Sequence, residues 1–118
     1  MSATLSVRDV VQALGLAVGA GEAYLDQEVT GGYASDLLSC VMAQAQAGNV
    51  WVTLQSHLNV IAVASLLDLS CVIITEGAQL EETAVARANE KGIPVLLTPE
   101  GTYTTVSRLW DLGIRDSG

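Results

Sequence analysis

Between Asn49 and Gly77 the spacing of hydrophobic positions changes twice. Val50–Leu54 and Val72–Thr75 are short runs rich in β-branched residues, each about the length of one strand. Between them, Leu58–Leu67 is apolar on almost every side over a helix-length stretch. Strand, polar turn, apolar helix and strand together predict a parallel β-α-β unit whose strands are buried on both faces. The polar residues of this unit collect at Gln55, Ser56, His57 and Asn59, where the first strand meets the helix.

The flanking segments follow the same grammar. Val7, Val10, Val11 and Leu14 share one face of a helix that Ser6 and Asp9 open as a capping pair. Gly15-Leu16 closes it, and the same ending recurs at Gly92-Ile93 and Gly113-Ile114. Each pairs a left-handed glycine with an apolar residue that folds back. Leu16–Val18 is expected to be a short strand, Gly19–Gly21 a turn, and Tyr24–Thr30 an edge strand or ordered loop. Thr30–Asp36 is expected to lead into a helix running to about Ala47, with Ser35 or Asp36 as its cap and Leu37, Leu38, Val41, Met42 and Ala45 as its buried stripe. Leu80–Lys91 reads as a helix with acids in its first turn and Lys91 in its last, matching the helix dipole. Ile93–Thr98 reads as a strand. Thr102 is expected to cap a final helix through Gly113, and residues 115–118 to fray. Strands alternating with helices predict an α/β fold, a three-layer α/β/α sandwich with a mostly parallel sheet of about five strands.

The 118 residues suffice for one domain, taken as residues 1–118. The core must be built without phenylalanine, from Val, Leu, Ile and Ala. The net charge of −8, from 13 acids against 5 bases, has the wrong sign for nonspecific binding to nucleic acid or to an anionic membrane. No secretory signal and no membrane span are expected. Cys40 and Cys71 are isolated from each other and from His57, and they read as reduced thiols of a cytoplasmic protein.

Ligands of open parallel sheets bind beyond the carboxyl ends of the strands. Those ends carry Thr53 and Gln55, then Thr75, Glu76 and Gly77, then Thr98. His57 and Asn59 stand at the following helix start, and Thr30, Gly31, Gly32 and Asp36 are expected nearby. A glycine-rich entry to a helix exposes backbone N–H groups that suit a phosphate, although Asp36 already brings a negative charge there. Hydroxyls and amides suit a neutral or weakly anionic ligand. His57 could act as a general base with Glu76 or as a metal ligand with Asp36, but no GxSxG, P-loop or metal-ligand cluster accompanies it.

The order TGGYASDLLSCVMA, VWVTLQSHLNVIAVASLLDLSCVIITEG, KGIPVLLT and RLWDLGI resembles the DRTGG domain family over roughly Val7 to Ile114. Related domains occur in HPr kinase/phosphorylase, beside phosphate acetyltransferase, and with CBS domains in a group of pyrophosphatases. The resemblance implies an α/β domain like the N-terminal domain of HPr kinase, without catalytic residues or cofactor, that regulates and pairs with itself. The pentapeptide Asp-Arg-Thr-Gly-Gly is absent; Thr30-Gly31-Gly32 echoes part of it, and Gln55–Asn59 is the alternative position by context. Three functions are carried forward. The first is a stand-alone homodimeric sensor of a nucleotide or other small metabolite, paired through the apolar helix. The second is a protein-binding accessory subunit of a metabolic, hydrogenase-linked complex, and the third is a small enzyme using His57.

Overall fold

Alternation along the strands decides which side of the sheet each residue faces. In the computed structural model, which describes residues 4–116, the chain runs β1 (Leu5–Ser6), α1 (Val7–Leu14), β2 (Ala17–Ala20), a 3₁₀ turn (Glu22–Tyr24), β3 (Glu28–Val29), β4 (Gly31–Ala34) and α2 (Leu38–Gln44). It continues through β5 (Asn49–Thr53), α3 (Leu58–Leu66), β6 (Cys71–Ile74), α4 (Glu82–Lys91), β7 (Val95–Leu97) and α5 (Thr102–Leu112). The main sheet has the order β2-β7-β6-β5-β4. Strands β4 to β7 are parallel neighbours, and β2 closes the far edge antiparallel to β7. The expected mostly parallel five-stranded α/β architecture is therefore present.

Every residue of β5 and β6 is buried. Trp51, Val72, Ile74 and Val95 point to one face, where they meet Val41 of α2, Val60, Ile61 and Ala64 of α3, and Ala84 and Ala88 of α4. Val50, Val52, Cys71, Ile73 and Leu96 point to the other, against Val7, Val10 and Leu14 of α1 and Leu109 of α5. Three helices thus cover one face and two cover the other. The flanking helices explain why α3 is apolar almost all round: its sides pack within the domain, and Ala64 is fully buried. The expectation that the apolar helix presents a whole face to a partner is corrected, because of its apolar residues only the outward ridge, Leu58, Ala62 and Leu66, is exposed.

Local chemistry sets the helix ends. Ser6 accepts from the Asp9 amide at 3.2 Å, while Asp9 accepts from the Ser6 amide at 2.9 Å, and the Val7 and Arg8 amides donate to the Gln27 and Leu25 carbonyls, so the four orphan donors of α1 are satisfied. Gly15, Gly92 and Gly113 are left-handed, and the residue after each donates back five positions, from Leu16 to Val11, Ile93 to Ala88 and Ile114 to Leu109. Gly21 is required more strictly: it is left-handed, and a Cβ there would strike the Ile93 backbone.

Four local expectations are corrected. Gly31–Ala34 is not a helix entry but the edge strand β4, paired with Asn49–Val52. Helix α2 starts only at Leu38, leaving Leu37 and Met42 exposed rather than in the buried stripe. Tyr24–Thr30 does not join the main sheet; after the 3₁₀ turn, β3 pairs with β1 in a separate two-stranded ribbon. Gly19 lies within β2, not in a turn. At the tail, Arg115 is ordered by the chain: its carbonyl accepts from the Gly32 amide at 2.9 Å and its guanidinium lies 4.7 Å from the Trp110 ring centre. The expectation for Ser117 and Gly118 lies outside the described residues.

Candidate functional site

The sheet has one place where neighbouring parallel strands send their chains to opposite faces. β6 leads to α4 on the three-helix side, and β7 leads to α5 on the two-helix side. Such divergence opens a crevice beyond the strand ends. Two similar loops line it, Thr75-Glu76-Gly77 and Thr98-Pro99-Glu100-Gly101. They are bonded to each other: the Glu76 amide donates to the Glu100 carbonyl at 2.8 Å, and the Gly77 amide to the Thr98 carbonyl at 3.1 Å.

Side chains tighten this link. Glu76 is left-handed with φ 64°, which turns its carboxylate toward α5, where Oε2 accepts from the Thr102 amide at 2.9 Å. Thr102 is thus the first residue of α5 rather than its cap, Gly101 precedes it without a side-chain cap, and Glu76 supplies the missing acceptor. The Thr75 hydroxyl is buried and bonds that of Thr102 at 2.7 Å. Thr98 Oγ1 accepts from the Glu100 amide. Arg108 of α5 bonds the Glu100 carboxylate and donates to the Ala13 carbonyl, joining the rim to α1.

A second cluster forms one strand away. Asp36 Oδ1 accepts from Thr53 Oγ1 and from the Leu54 amide, both at 2.8 Å. Gln55 Nε2 donates to the Asp36 carbonyl, which orients Gln55 Oε1 toward His57 Nε2 at 2.9 Å. In this arrangement a neutral His57 carries its proton on Nε2, and its buried Nδ1 has no hydrogen-bond partner among the described residues. His57 contacts neither expected acid partner. The Asp36 carboxylate is taken by Thr53 and Leu54, and that of Glu76 caps α5. Asn59 is exposed on the first turn of α3.

Thr30, Gly31 and Gly32 do not reach this rim. Gly31 pairs with Asn49 at the amino end of β5, four residues or roughly 13 Å from Thr53. Thr30 Oγ1 donates to the Ala47 carbonyl at 2.9 Å. Gly32 instead lines a cleft of about 230 Å³ with Val52, Leu109 and Trp110, beside the edge strand. The glycine pair is not the phosphate-binding helix entry expected from its spacing, because the helix begins six residues beyond Gly32.

At the crevice itself, a cleft of about 490 Å³ opens between the start of α4 and the β2–β7 edge. Leu80, Val85 and Leu97 give it an apolar wall, and Gln79 and Thr98 are its polar groups. Gly19, Gly77 and Ala78 leave room where larger side chains would fill it. Of the residues singled out in sequence, only Gly77 and Thr98 line this cleft. Ala17, Gln79 and Leu80 went unnoticed because nothing in their local pattern marks them, although the echo of VIITEG in VLLTPEG marks the two loops. Among the described residues no group of His, Cys, Asp and Glu could hold a metal ion, and no helix is long and apolar enough to cross a membrane.

The model of the DRTGG domain family matches residues 29–112, from β3 to the end of α5. The chain belongs to the DRTGG domain family. The matched span contains the parallel strands, both polar clusters and both strand-end loops. One solved structure with the same fold comprises the CBS and DRTGG domains of the regulatory region of Clostridium perfringens pyrophosphatase, complexed with its activator, diadenosine tetraphosphate. The similarity to this DRTGG protein has a TM-score of 0.71 at 15% identity, and it covers 88% of this chain and 45% of that one. This DRTGG domain thus spans less than half of that regulatory region. No curated relative is similar enough in sequence to match.

Proposed function

We propose that this DRTGG domain is a non-catalytic sensor that binds a small metabolite of the nucleotide class in the cleft between the start of α4 and the β2–β7 edge, and that it acts as a cytoplasmic homodimer. Residues 1–118 form one such unit in this reading. The observation that carries it is the cleft of about 490 Å³ at the strand ends, beside the point where α4 and α5 depart to opposite faces. The kind of ligand is suggested by the related regulatory region, which is activated by diadenosine tetraphosphate. Occupation of the cleft would be felt in two layers at once, because Glu76 and Glu100 tie its loops to α5.

The test is thermal denaturation against mononucleotides, dinucleoside polyphosphates and sugar phosphates. A ligand at about a hundred times its Kd adds roughly 2.7 kcal/mol, a shift of about 10 °C for a domain of this size. Ala17→Trp, an exposed position on the cleft wall, should abolish the shift without changing the unliganded midpoint. A flat response to the whole panel overturns the sensor reading. A shift that survives Ala17→Trp moves the ligand to another site.

A further inference from the structure

From Leu37 to Leu67, over a quarter of the chain, there is no Asp, Glu, Lys or Arg, so all 13 acids and all 5 bases lie elsewhere. This stretch supplies α2 and α3, which lie side by side on the three-helix face. It also holds five of the eight exposed large apolar side chains among the described residues: Leu37, Met42, Leu54, Leu58 and Leu66. Leu58, Ala62 and Leu66 recur every four residues and form the outward ridge of α3, with Leu66 68% exposed. On α2, Met42 is 50% exposed. The neighbouring helix α4, on the same face, carries Glu82, Arg87, Glu90 and Lys91.

We propose that this charge-free face of α2 and α3 is where two copies of the domain meet. The argument is electrostatic as well as hydrophobic. Two chains of net charge −8 repel each other. A face without charges lets them touch while keeping like charges apart and leaves no ionised group to be buried unpaired. A partner recognised by charge would find nothing here to pair with. Interface cores are likewise depleted of charge and enriched in Met. Both helices are short, seven and nine residues, so the contact is at the small end of interface sizes and the dimer should be reversible. This inference rests on the self-association reading above and gives it a surface.

The experiment is sedimentation velocity over a wide concentration range, on the unaltered chain and on Ala62→Glu, Met42→Glu and Ala86→Glu. All three positions are exposed, and Ala86, on α4, is the control. In a symmetric dimer each substitution on the shared face brings in two carboxylates, so Ala62→Glu and Met42→Glu should raise the dissociation constant at least tenfold while Ala86→Glu changes it little. Association of the unaltered chain should strengthen as salt screens the repulsion. If both face variants dimerise as well as the control, the surface is wrong and self-association stands. If salt weakens the dimer, charge pairing holds it and the proposal fails. If the unaltered chain is monomeric throughout, the homodimer itself is refuted and the face belongs to a different protein.

Discussion

Two non-glycine residues among those described adopt left-handed backbone, Asp68 at φ 55° and Glu76 at φ 64°. The conformation costs an L-residue about 1–2 kcal/mol, and glycine removes that cost while adding back about 0.5–1 kcal/mol of unfolded-state entropy. Asp68→Gly should therefore stabilise the domain by about 0.5–1 kcal/mol, since Asp68 serves through its main chain, donating to Ser65 and accepting from Gly48. Glu76→Gly brings the same relief but loses the acceptor of the Thr102 amide at the start of α5. A helix cap is worth about 1 kcal/mol, and a negative charge in that place adds about 0.3–1 kcal/mol. The two variants should differ by about 1.5 kcal/mol, or about 6 °C in midpoint, with Glu76→Gly the less stable. Urea denaturation followed by far-ultraviolet circular dichroism measures both, and Glu76→Gln, which keeps an acceptor without the charge, should fall between Glu76→Gly and the unaltered chain. If the two glycine variants shift stability equally, within about 0.3 kcal/mol, the Glu76 carboxylate does not hold α5.

Further outcomes follow from other contacts. Asp36→Ala removes two charge-assisted bonds, to Thr53 and Leu54, and should cost about 1–2 kcal/mol, with Asp36→Asn costing roughly half. Trp51→Phe shrinks a fully buried ring and leaves the Ser35 carbonyl without its indole donor, which should lower stability by about 2–3 kcal/mol in the same denaturation. Ala64→Glu would bury an unpaired carboxylate in the core, so it should unfold the chain, whereas Ala62→Glu leaves the circular dichroism spectrum native. Burial pushes the Cys71 thiol up to about 12. A thiol reagent at mildly alkaline pH should therefore label native Cys40 and spare Cys71, one adduct per chain by mass spectrometry. Above the ordinary value of 9.0 the unfolded chain loses this proton and the folded one keeps it. Stability should fall with rising pH by up to about 1.4 kcal/mol per unit across that window, and Cys71→Ala should remove this part of the slope.

The buried centre was readable because its physics is local. β5, α3 and β6 reveal themselves by β-branched runs around an apolar helix, and the three left-handed helix ends by a Gly before an apolar residue. The edge was misread for the opposite reason. Gly31-Gly32 looks like a turn, yet it holds its strand through Asn49 and Val50 on one side and the Arg115 carbonyl on the other, partners distant in sequence. Losing β4 as a strand also carried Thr30, Gly31 and Gly32 to the wrong end of the sheet. The strand-end rule located the rim, but the opposite departures of α4 and α5 are tertiary facts, so the cleft wall at Ala17, Gln79 and Leu80 carried no signal. Likewise, Asp36 and His57 could be named as neighbours, but the intervening Gln55 that separates them could not be foreseen.

The two-helix face has a consequence for how the chain is made. β4 through β7, with α2, α3 and α4, can be laid down in order of synthesis, each strand joining the one before it. The lid over Val50, Val52, Cys71 and Ile73 is different, since it joins α1, made first, to α5, made last. Until α5 has left the ribosome, α1 alone is there to cover this side of a finished sheet, and the apolar surface that Leu109 later seals stays open to water, a sticky intermediate of the kind that chaperones hold. Once α5 docks, the early and late segments lock each other, so unzipping either one in a pulling experiment should release the whole sheet rather than a single layer.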